Sequence, residues 1–211
     1  MKKTLLSALM LCSLSLAACG DDEPVTPPDE TPEVKYNTVA AVNAALEGKT
    51  LVMEGNNIPP FPQGIPESMN VGAATQCYHK VTMTVAGGKP TVAPEMGTLQ
   101  NAPTVGSMGT CDRATVSATP TPYVAQEVLV ENVAADGTCF DVRYTYNGFA
   151  QEGRGQISQD GTKLSLEIFF AGKAQNAKCA NGPVGTTGVL VDLGAGPKPL
   201  LGNAQQVYSI Q

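Results

Sequence analysis

Tryptophan is absent from this 211-residue sequence, and charged residues make up only 15% of it. An average soluble domain has about a quarter of its residues charged. Because long amphipathic helices draw on Glu, Lys, Arg and Leu, this shortage disfavours a helical bundle. The chain has 13 basic against 19 acidic residues, and the basic ones are scattered singly. The clusters of Lys and Arg that phosphate backbones require are therefore missing, and we expect no nucleic-acid partner.

Histidine occurs once, which limits the chemistry that the chain can perform. A serine hydrolase needs a histidine base, but the nucleophile-elbow pattern G-x-S-x-G does not occur. His79 starts a strand-like segment beside Cys77, and we interpret it as an ordinary strand-end residue. The sequence has no C-x-x-C pair and no second histidine to hold a metal ion. We therefore assign no catalytic residue, no metal ligand and no cofactor.

Paired carboxylates would be another route to catalysis, since two facing acids can hydrolyse a glycosidic bond. Asp141 and Glu167 alternate with apolar residues, which places them on the polar face of their strands. Solvent-exposed positions are predicted for all the acidic residues of these strands, namely Glu127, Glu131, Asp141, Glu152 and Glu167. The sequence thus favours a role without catalysis, and a hydrolase is the less favoured hypothesis.

The first residues of the chain have the order of a bacterial export signal. Two lysines at positions 2 and 3 form a basic n-region, and residues 5–16 form an apolar h-region. The sequence Leu16-Ala17-Ala18-Cys19 follows and resembles the lipobox of bacterial lipoproteins. The alternatives are an ordinary secretory signal with a chance cysteine and an N-terminal membrane span. The span is disfavoured because the apolar run is shorter than the roughly 20 residues that a bilayer requires.

The resemblance implies cleavage before Cys19, a thioether-linked diacylglycerol on its thiol, and an acyl chain such as palmitate on its new N-terminus. One acyl chain binds a membrane only reversibly, whereas two or more anchor a protein stably. The next residue is Gly20, and not the Asp that the family uses for retention in the inner membrane. We therefore expect an outer-membrane location, at the periplasmic face or at the cell surface.

We divide the chain into three parts, and the resemblance sets the boundary between the first and the second. Residues 1–18 are the expected signal peptide. Residues 19–36 hold the lipidated cysteine and a disordered tether rich in Pro, Asp and Glu, which has little apolar surface to bury. Residues 37–211 are expected to form a single β domain, since their number is common for one such domain.

Four cysteines remain for the domain after Cys12 of the h-region and the lipid-site cysteine are set aside. They are Cys77, Cys111, Cys139 and Cys179. An even number in an oxidising compartment predicts two disulfides, and four cysteines allow three pairings. Proximity along the chain favours the pairing of Cys77 with Cys111 and of Cys139 with Cys179.

The first half of the domain is expected to hold one short helix and a few strands. A helix is predicted over residues 39–46, capped by Asn37-Thr38 and ended by Gly48. Strands are predicted over residues 49–54, 79–85 and 113–118, from their composition or alternation. Asn, Pro and Gly dominate the segment after Glu54, and Gly, Pro and Thr dominate the segment from Gly87 to Gly109. We therefore expect two long loops, the second with at most a short strand near Thr91 and Val92.

The second half has the strongest pattern, a meander of four antiparallel strands. The predicted strands are Val124–Val133, Phe140–Tyr146, Phe149–Ser158 and Leu164–Phe170. The dipeptides Asp136-Gly137, Asn147-Gly148 and Asp160-Gly161 separate them as turn signatures. The inward residues of the second strand are expected to be Phe140, Val142, Tyr144 and Tyr146. Further candidate strands are Val189–Leu193 and Gln205–Ile210.

These elements predict an all-β fold, a meander that closes into a small barrel of about eight strands with a short N-terminal helix. Its architecture resembles the small lipocalin-like barrels, and a β-sandwich is the alternative. Alternation separates Phe169 from Phe170, so one of these rings should point away from the core.

The favoured function is a binding or interaction module of the cell envelope, with an unknown envelope protein as partner. The alternative is a carrier of a small apolar ligand in a barrel cavity.

Overall fold

The helix that precedes the sheet begins and ends as its capping residues predict. In a computed structural model of the protein, which describes residues 35–59, 77–101, 110–146, 148–186, 188–192, 196–200 and 204–211, helix α1 spans Val39–Leu46. The Thr38 hydroxyl accepts a hydrogen bond from the Ala41 N–H, and Gly48 follows with a φ of 72°. The predicted signal peptide, Cys19 and most of the tether lie outside the described residues.

Strands dominate the rest of the described chain. They are β1 (Thr50–Glu54), β2 (Tyr78–Ala86), β3 (Lys89–Met96), β4 (Thr98–Asn101), β5 (Thr110–Asp112), β6 (Tyr123–Val124), β7 (Glu127–Glu131), β8 (Phe140–Tyr146), β9 (Phe149–Ile157), β10 (Lys163–Phe170), β11 (Ala174–Gln175), β12 (Leu190–Asp192), β13 (Pro197–Pro199) and β14 (Gln206–Ile210). Short 3₁₀ turns occupy Gly55–Asn57 and Cys179–Asn181. No helix in the ranges given above is long and apolar enough to cross a membrane.

Nine strands form one antiparallel sheet in the order β6-β3-β2-β1-β14-β10-β9-β8-β7. The predicted meander is confirmed, since β7, β8, β9 and β10 pair in sequence order. The C-terminal strand β14 pairs with both β1 and β10, with Leu51 opposite Ile210 and Leu164 opposite Tyr208. It therefore joins the first half of the domain to the meander.

The predicted long loop over residues 87–109 is wrong, because β3 and β4 occupy most of its described part. The short strand expected near Thr91 lies within β3, which is longer than predicted. Gly87 and Gly88 both have positive φ, which suits the tight turn of a β2–β3 hairpin. The carboxylate of Glu47 accepts hydrogen bonds from both of their N–H groups, at 2.8 and 2.9 Å, and these bonds lower its pKa. Pro90 and Pro94 lie within β3 and hide its alternation from a sequence pattern.

The predicted strand over residues 113–118 is also wrong. The Asp112 carboxylate accepts hydrogen bonds from the Ala114 N–H and from the Thr115 hydroxyl, at 2.9 and 3.1 Å. These bonds form a turn that ends β5 and diverts the chain. Only Ala118 then makes a bridge, opposite Met96.

The nine-stranded sheet curls into a half-barrel, so the all-β prediction is confirmed, whereas the closed barrel of about eight strands is not. Strands β6 and β7 form the two edges and do not pair with each other. The chain crosses between them at Ala125, whose N–H donates to the Pro90 carbonyl, and at Gln126, whose N–H donates to the Thr145 carbonyl. The sheet therefore stays open between β6 and β7. One curled sheet surrounds the main core, so the β-sandwich alternative is not observed.

Two glycines at the centre of β9 lie where neighbouring groups approach the strand closely. A Cβ atom on Gly153 would lie 1.8 Å from the Glu167 carbonyl oxygen of β10. A Cβ atom on Gly155 would lie 2.6 Å from the ring of Phe140. Glycine is typical of strand positions where a neighbouring backbone or side chain approaches closely and the sheet bends.

A second, smaller core covers the outer face of β10. Strands β11, β12 and β13 form a three-stranded sheet, and Phe169 packs with Ala177, Val189 and Val191. The ring that points away from the main core is therefore Phe169, and it is fully buried. Alternation predicted that one of the two rings would point away from the core, whereas the covering layer was not predicted.

Both disulfides have the pairing that chain proximity favoured. Cys77 bonds to Cys111 and attaches β5 to the start of β2. Cys139 bonds to Cys179 and attaches the segment after β11 to the start of β8. Each bond closes a long loop, with sequence separations of 34 and 40, and so restricts the unfolded chain.

Candidate functional site

The concave face of the half-barrel encloses a cavity of about 130 Å³. Apolar side chains from both halves of the sheet line it, including Val81, Met83, Val92, Phe140, Val142 and Leu166. The predicted inward residues of β8 all contribute, because alternation places every second side chain on this inner face. Helix α1 covers one side through Asn43 and Leu46.

Tyrosines add a polar element to this apolar lining. Five of them line the cavity: Tyr78, Tyr123, Tyr144, Tyr146 and Tyr208. The rings of Tyr123 on β6 and Tyr146 on β8 stack at 4.6 Å between centroids, and Tyr144 lies 5.9 Å from Tyr146. Since β6 is an edge strand and β8 lies next to the other edge, this stack joins the two sides of the half-barrel.

Burial raises the pKa of Tyr78, Tyr123, Tyr144 and Tyr208, and the neighbouring Tyr hydroxyls raise it further. Burial also raises the pKa of Tyr146. All five hydroxyls therefore stay protonated at neutral pH. No Asp, Glu, Lys, Arg or His is among the described residues that line the cavity. The site is electrically neutral, and an ionised ligand would lose its hydration without gaining a counter-charge.

Two glutamines lie among these tyrosines, and their hydrogen bonding differs. Gln151 has both ends of its amide occupied: Oε1 accepts from the Tyr144 hydroxyl, and Nε2 donates to the Tyr146 hydroxyl oxygen at 3.3 Å. Gln206 uses Oε1 to accept from the Tyr208 hydroxyl at 2.9 Å. Its Nε2 has no hydrogen-bond partner among the described residues, although the side chain is only 1% exposed. The Nε2 atom has almost no accessible surface, so it does not face the open space of the cavity.

The prediction that Asp141 and Glu167 are exposed is wrong. Together with Arg154 they form a buried group on the outer face of the sheet, which we call the Arg154 cluster. Arg154 stands opposite Asp141 on β8 and Glu167 on β10, and its Nε donates to Glu167 Oε2 at 2.7 Å. The remaining acidic residues of the meander, Glu127, Glu131 and Glu152, are exposed or half-buried.

The Arg154 cluster holds the segment that covers it. The Arg154 guanidinium donates to the carbonyl oxygens of Gly182 and Thr186, at 2.7 and 3.0 Å. Asp141 accepts from the Cys179 N–H at 2.8 Å and from the Asn132 side-chain amide at 2.9 Å. Since these polar groups are bonded to one another or to backbone, the cluster fits a structural role and not a catalytic one.

His79 lies away from the cavity, at the start of β2. Its Nδ1 is 2.7 Å from the Arg113 carbonyl oxygen, a single backbone contact. Among the described residues, no three His, Cys, Asp or Glu side chains converge in a way that could hold a metal ion.

The polar groups of the cavity, Gln151 and Gln206, were not singled out from the sequence. Alternation could have indicated Gln206, because it shares a strand face with Tyr208.

Comparisons with protein-family models, with curated proteins and with solved structures find no match to this chain. No role can therefore be transferred from a relative. The function has to be argued from the site itself, because a fold by itself does not determine a function.

Proposed function

We propose that the protein is a lipid-anchored protein of the cell envelope that binds a small, uncharged and largely apolar molecule inside its half-barrel. The observation that supports this most is the cavity of about 130 Å³ with its apolar and tyrosine lining. An engineered cavity of roughly 150 Å³ in another protein stays dry and binds benzene or xenon. The cavity here suits a ligand of about one ring in size. Ligand carriage was the alternative hypothesis from sequence, and we prefer it here because the cavity supports it.

An interaction module is the second candidate function. Its support is the exposed ring of Phe149, which is 57% accessible and lies 5.9 Å from the ring of Phe170. Exposed aromatic side chains are common at protein interfaces. The cavity is the stronger support, because single exposed apolar residues are normal on protein surfaces.

A cavity-filling substitution tests ligand binding. Val130→Trp adds bulk at an inner-face position of β7 that lines the cavity, so the amount of bound ligand should fall at least tenfold. Leu129→Trp is the matched control, because Leu129 is the adjacent residue and is 39% exposed. The measurement is mass spectrometry of small molecules extracted from the full-length proteins after isolation from their native envelope.

The control should release the same compound as the wild-type protein, in a near-equal molar amount. Equal release from the wild-type protein and Val130→Trp would contradict binding in the half-barrel. Absence of any bound compound from all three proteins would favour the interaction module, and Phe149→Ser should then weaken binding to a protein partner.

The proposed anchor is tested at Cys19. Cys19→Ala removes the thiol to which the diacylglycerol would attach, so the protein should shift from the membrane fraction to the soluble fraction. Cys12→Ala is the control, because Cys12 lies within the apolar run and is expected to be removed with the signal. Density-gradient separation of the two membranes tests the outer-membrane location. Unchanged fractionation of Cys19→Ala would rule out the lipid anchor.

A further inference from the structure

We infer that the ligand of the half-barrel is an uncharged amphiphile, whose apolar end fills the cavity and whose polar end lies in an open groove beside helix α1. This inference rests on the proposed function and makes it more specific. The groove has a volume of about 580 Å³ and lies between α1, the β2–β3 turn and the start of β7. We call it the α1 groove, and its lining includes Asn43, Ala44, Glu47, Gly88, Gln126 and Glu127.

The α1 groove adjoins the cavity, because Asn43, Gly88 and Val128 line both spaces. Asn43 and Gly88 are also the only exposed residues among the described ones that line the cavity. A residue that is exposed to solvent and also lines an interior space marks the point where that space reaches the surface. The mouth of the cavity therefore lies at Asn43 and Gly88 and leads into the α1 groove.

Contacts on both sides of the mouth hold α1 in place. The Glu47 carboxylate accepts hydrogen bonds from the N–H groups of Gly87 and Gly88, which attaches the end of α1 to the β2–β3 turn. Helix α1 also packs against β7, which is one open edge of the sheet. The mouth is thus part of the folded structure, beside the gap that the unpaired edges β6 and β7 leave.

The two spaces differ in the chemistry of their walls. The cavity is lined by apolar and tyrosine side chains and has room for about one ring. The α1 groove instead has the exposed polar side chains of Asn43, Lys89, Gln126 and Glu127. These four side chains make no hydrogen bond or ion pair within the part of the chain that the structure describes. A ligand longer than one ring would therefore place its polar end among free hydrogen-bonding groups.

The charges of the groove favour an uncharged polar end. Lys89 and Glu127 have opposite charges and are both exposed, so an ionised group would meet a like charge as well as an opposite one. Asn43 is the one polar side chain that lines both spaces within the described chain, and its amide can donate and accept. A neutral hydroxyl or similar group at the mouth can bond to such an amide without a counter-charge.

Two compounds test this inference. Toluene is short enough for the cavity alone, whereas 3-phenylpropan-1-ol adds an uncharged polar end to the same ring. Their affinities are measured by NMR titration of the full-length protein with Cys19→Ala, which keeps acyl chains out of the experiment. The comparison is repeated with Ala44→Trp, which fills the α1 groove at an exposed residue that does not line the cavity. Ala40→Trp is the matched control, because Ala40 is an exposed residue of the same helix that lines neither space.

The affinity for 3-phenylpropan-1-ol should fall about tenfold in Ala44→Trp, while the affinity for toluene changes less than twofold. Ala40→Trp should change neither affinity by more than twofold. In the protein without these two helix substitutions, nuclear Overhauser effects should connect the ring protons of the alcohol with Val142 and Leu166, and the methylene beside its hydroxyl with Asn43. This second readout needs no helix variant to fold.

Three results would overturn the amphiphile inference and leave the proposed function intact. They are binding of toluene without binding of the alcohol, an unchanged affinity for the alcohol in Ala44→Trp, and contact of its hydroxyl end with Val142 in place of Asn43. If neither compound binds, the proposed function and this inference both fail.

Discussion

Replacing Arg154 by methionine is expected to lower the free energy of unfolding by about 3–5 kcal/mol. The guanidinium is 1% exposed and bonds to Glu167 and to two backbone carbonyls of the covering segment. Its removal leaves the carboxylate of Glu167 buried without its cation. Breaking a buried ion pair from one side is costly, because the remaining charge has lost both water and partner. Urea unfolding followed by circular dichroism measures the change.

An exposed ion pair provides the control. Lys80 Nζ lies 3.1 Å from Glu95 Oε1, and the two side chains are 34% and 29% exposed. Lys80→Met should therefore cost less than about 1 kcal/mol. Arg154→Lys should remain strongly destabilised, because a single ammonium cannot reproduce the planar set of donors. Equal destabilisation by Arg154→Met and Lys80→Met would show that the Arg154 cluster does not hold its covering segment.

Gly153→Ala is expected to cost more than about 4 kcal/mol, which only a severe steric conflict produces. The added Cβ would lie 1.8 Å from the Glu167 carbonyl oxygen and 2.9 Å from the Ile168 Cα. Both atoms belong to the backbone of β10, which is itself paired with β14 and cannot move away freely. The substitution should therefore prevent β9 and β10 from pairing at the centre of the half-barrel. Urea unfolding and the yield of folded protein measure this.

Gly172→Ala is the control for Gly153→Ala, because it changes glycine to alanine where space is open. Gly172 has a φ of 74°, and nothing lies within 4 Å of an added Cβ. Gly172→Ala should lower the free energy of unfolding by roughly 1–2 kcal/mol, because alanine disfavours the left-handed backbone conformation. If Gly153→Ala cost no more than this, the close approach of β9 and β10 would not be needed for the curvature of the sheet.

The meander was predictable because two independent signals agree there. Alternation gives the face of each residue, and turn dipeptides such as Asp160-Gly161 give the pairing of neighbouring strands. Strand β3 was predicted only as a short strand near Thr91, because Pro90 and Pro94 argue against a longer one. Proline can nevertheless occupy strand positions whose N–H is not needed in a ladder.

Burial on the outer face could not be read from the sequence. Alternation separates Asp141 and Glu167 from the apolar residues, but it does not tell whether a later segment covers them. The covering residues lie far along the chain, as with Gly182 and Thr186, whose carbonyls accept from Arg154. Tertiary contacts of this kind decide whether a polar face is exposed or buried, and the local sequence pattern does not predict them.

The candidate site was predictable only in part, for the same reason. The inward set of β8 was correct, since Phe140, Val142, Tyr144 and Tyr146 all line the cavity. The unpaired amide of Gln206 was not foreseeable, because it depends on how β14 is placed between β1 and β10. Patterns within one strand indicate which residues share a face, whereas the contents of a cavity follow from the topology of the whole sheet.

The most direct test of the central claim, that the half-barrel interior is a ligand site, is a crystal structure under xenon pressure. Xenon enters dry apolar cavities of about this size and is located by its strong scattering. We expect a xenon atom inside the half-barrel in contact with Val81, Val142 and Leu166. A cavity filled by side chains, or one that takes up no xenon, would contradict the claim.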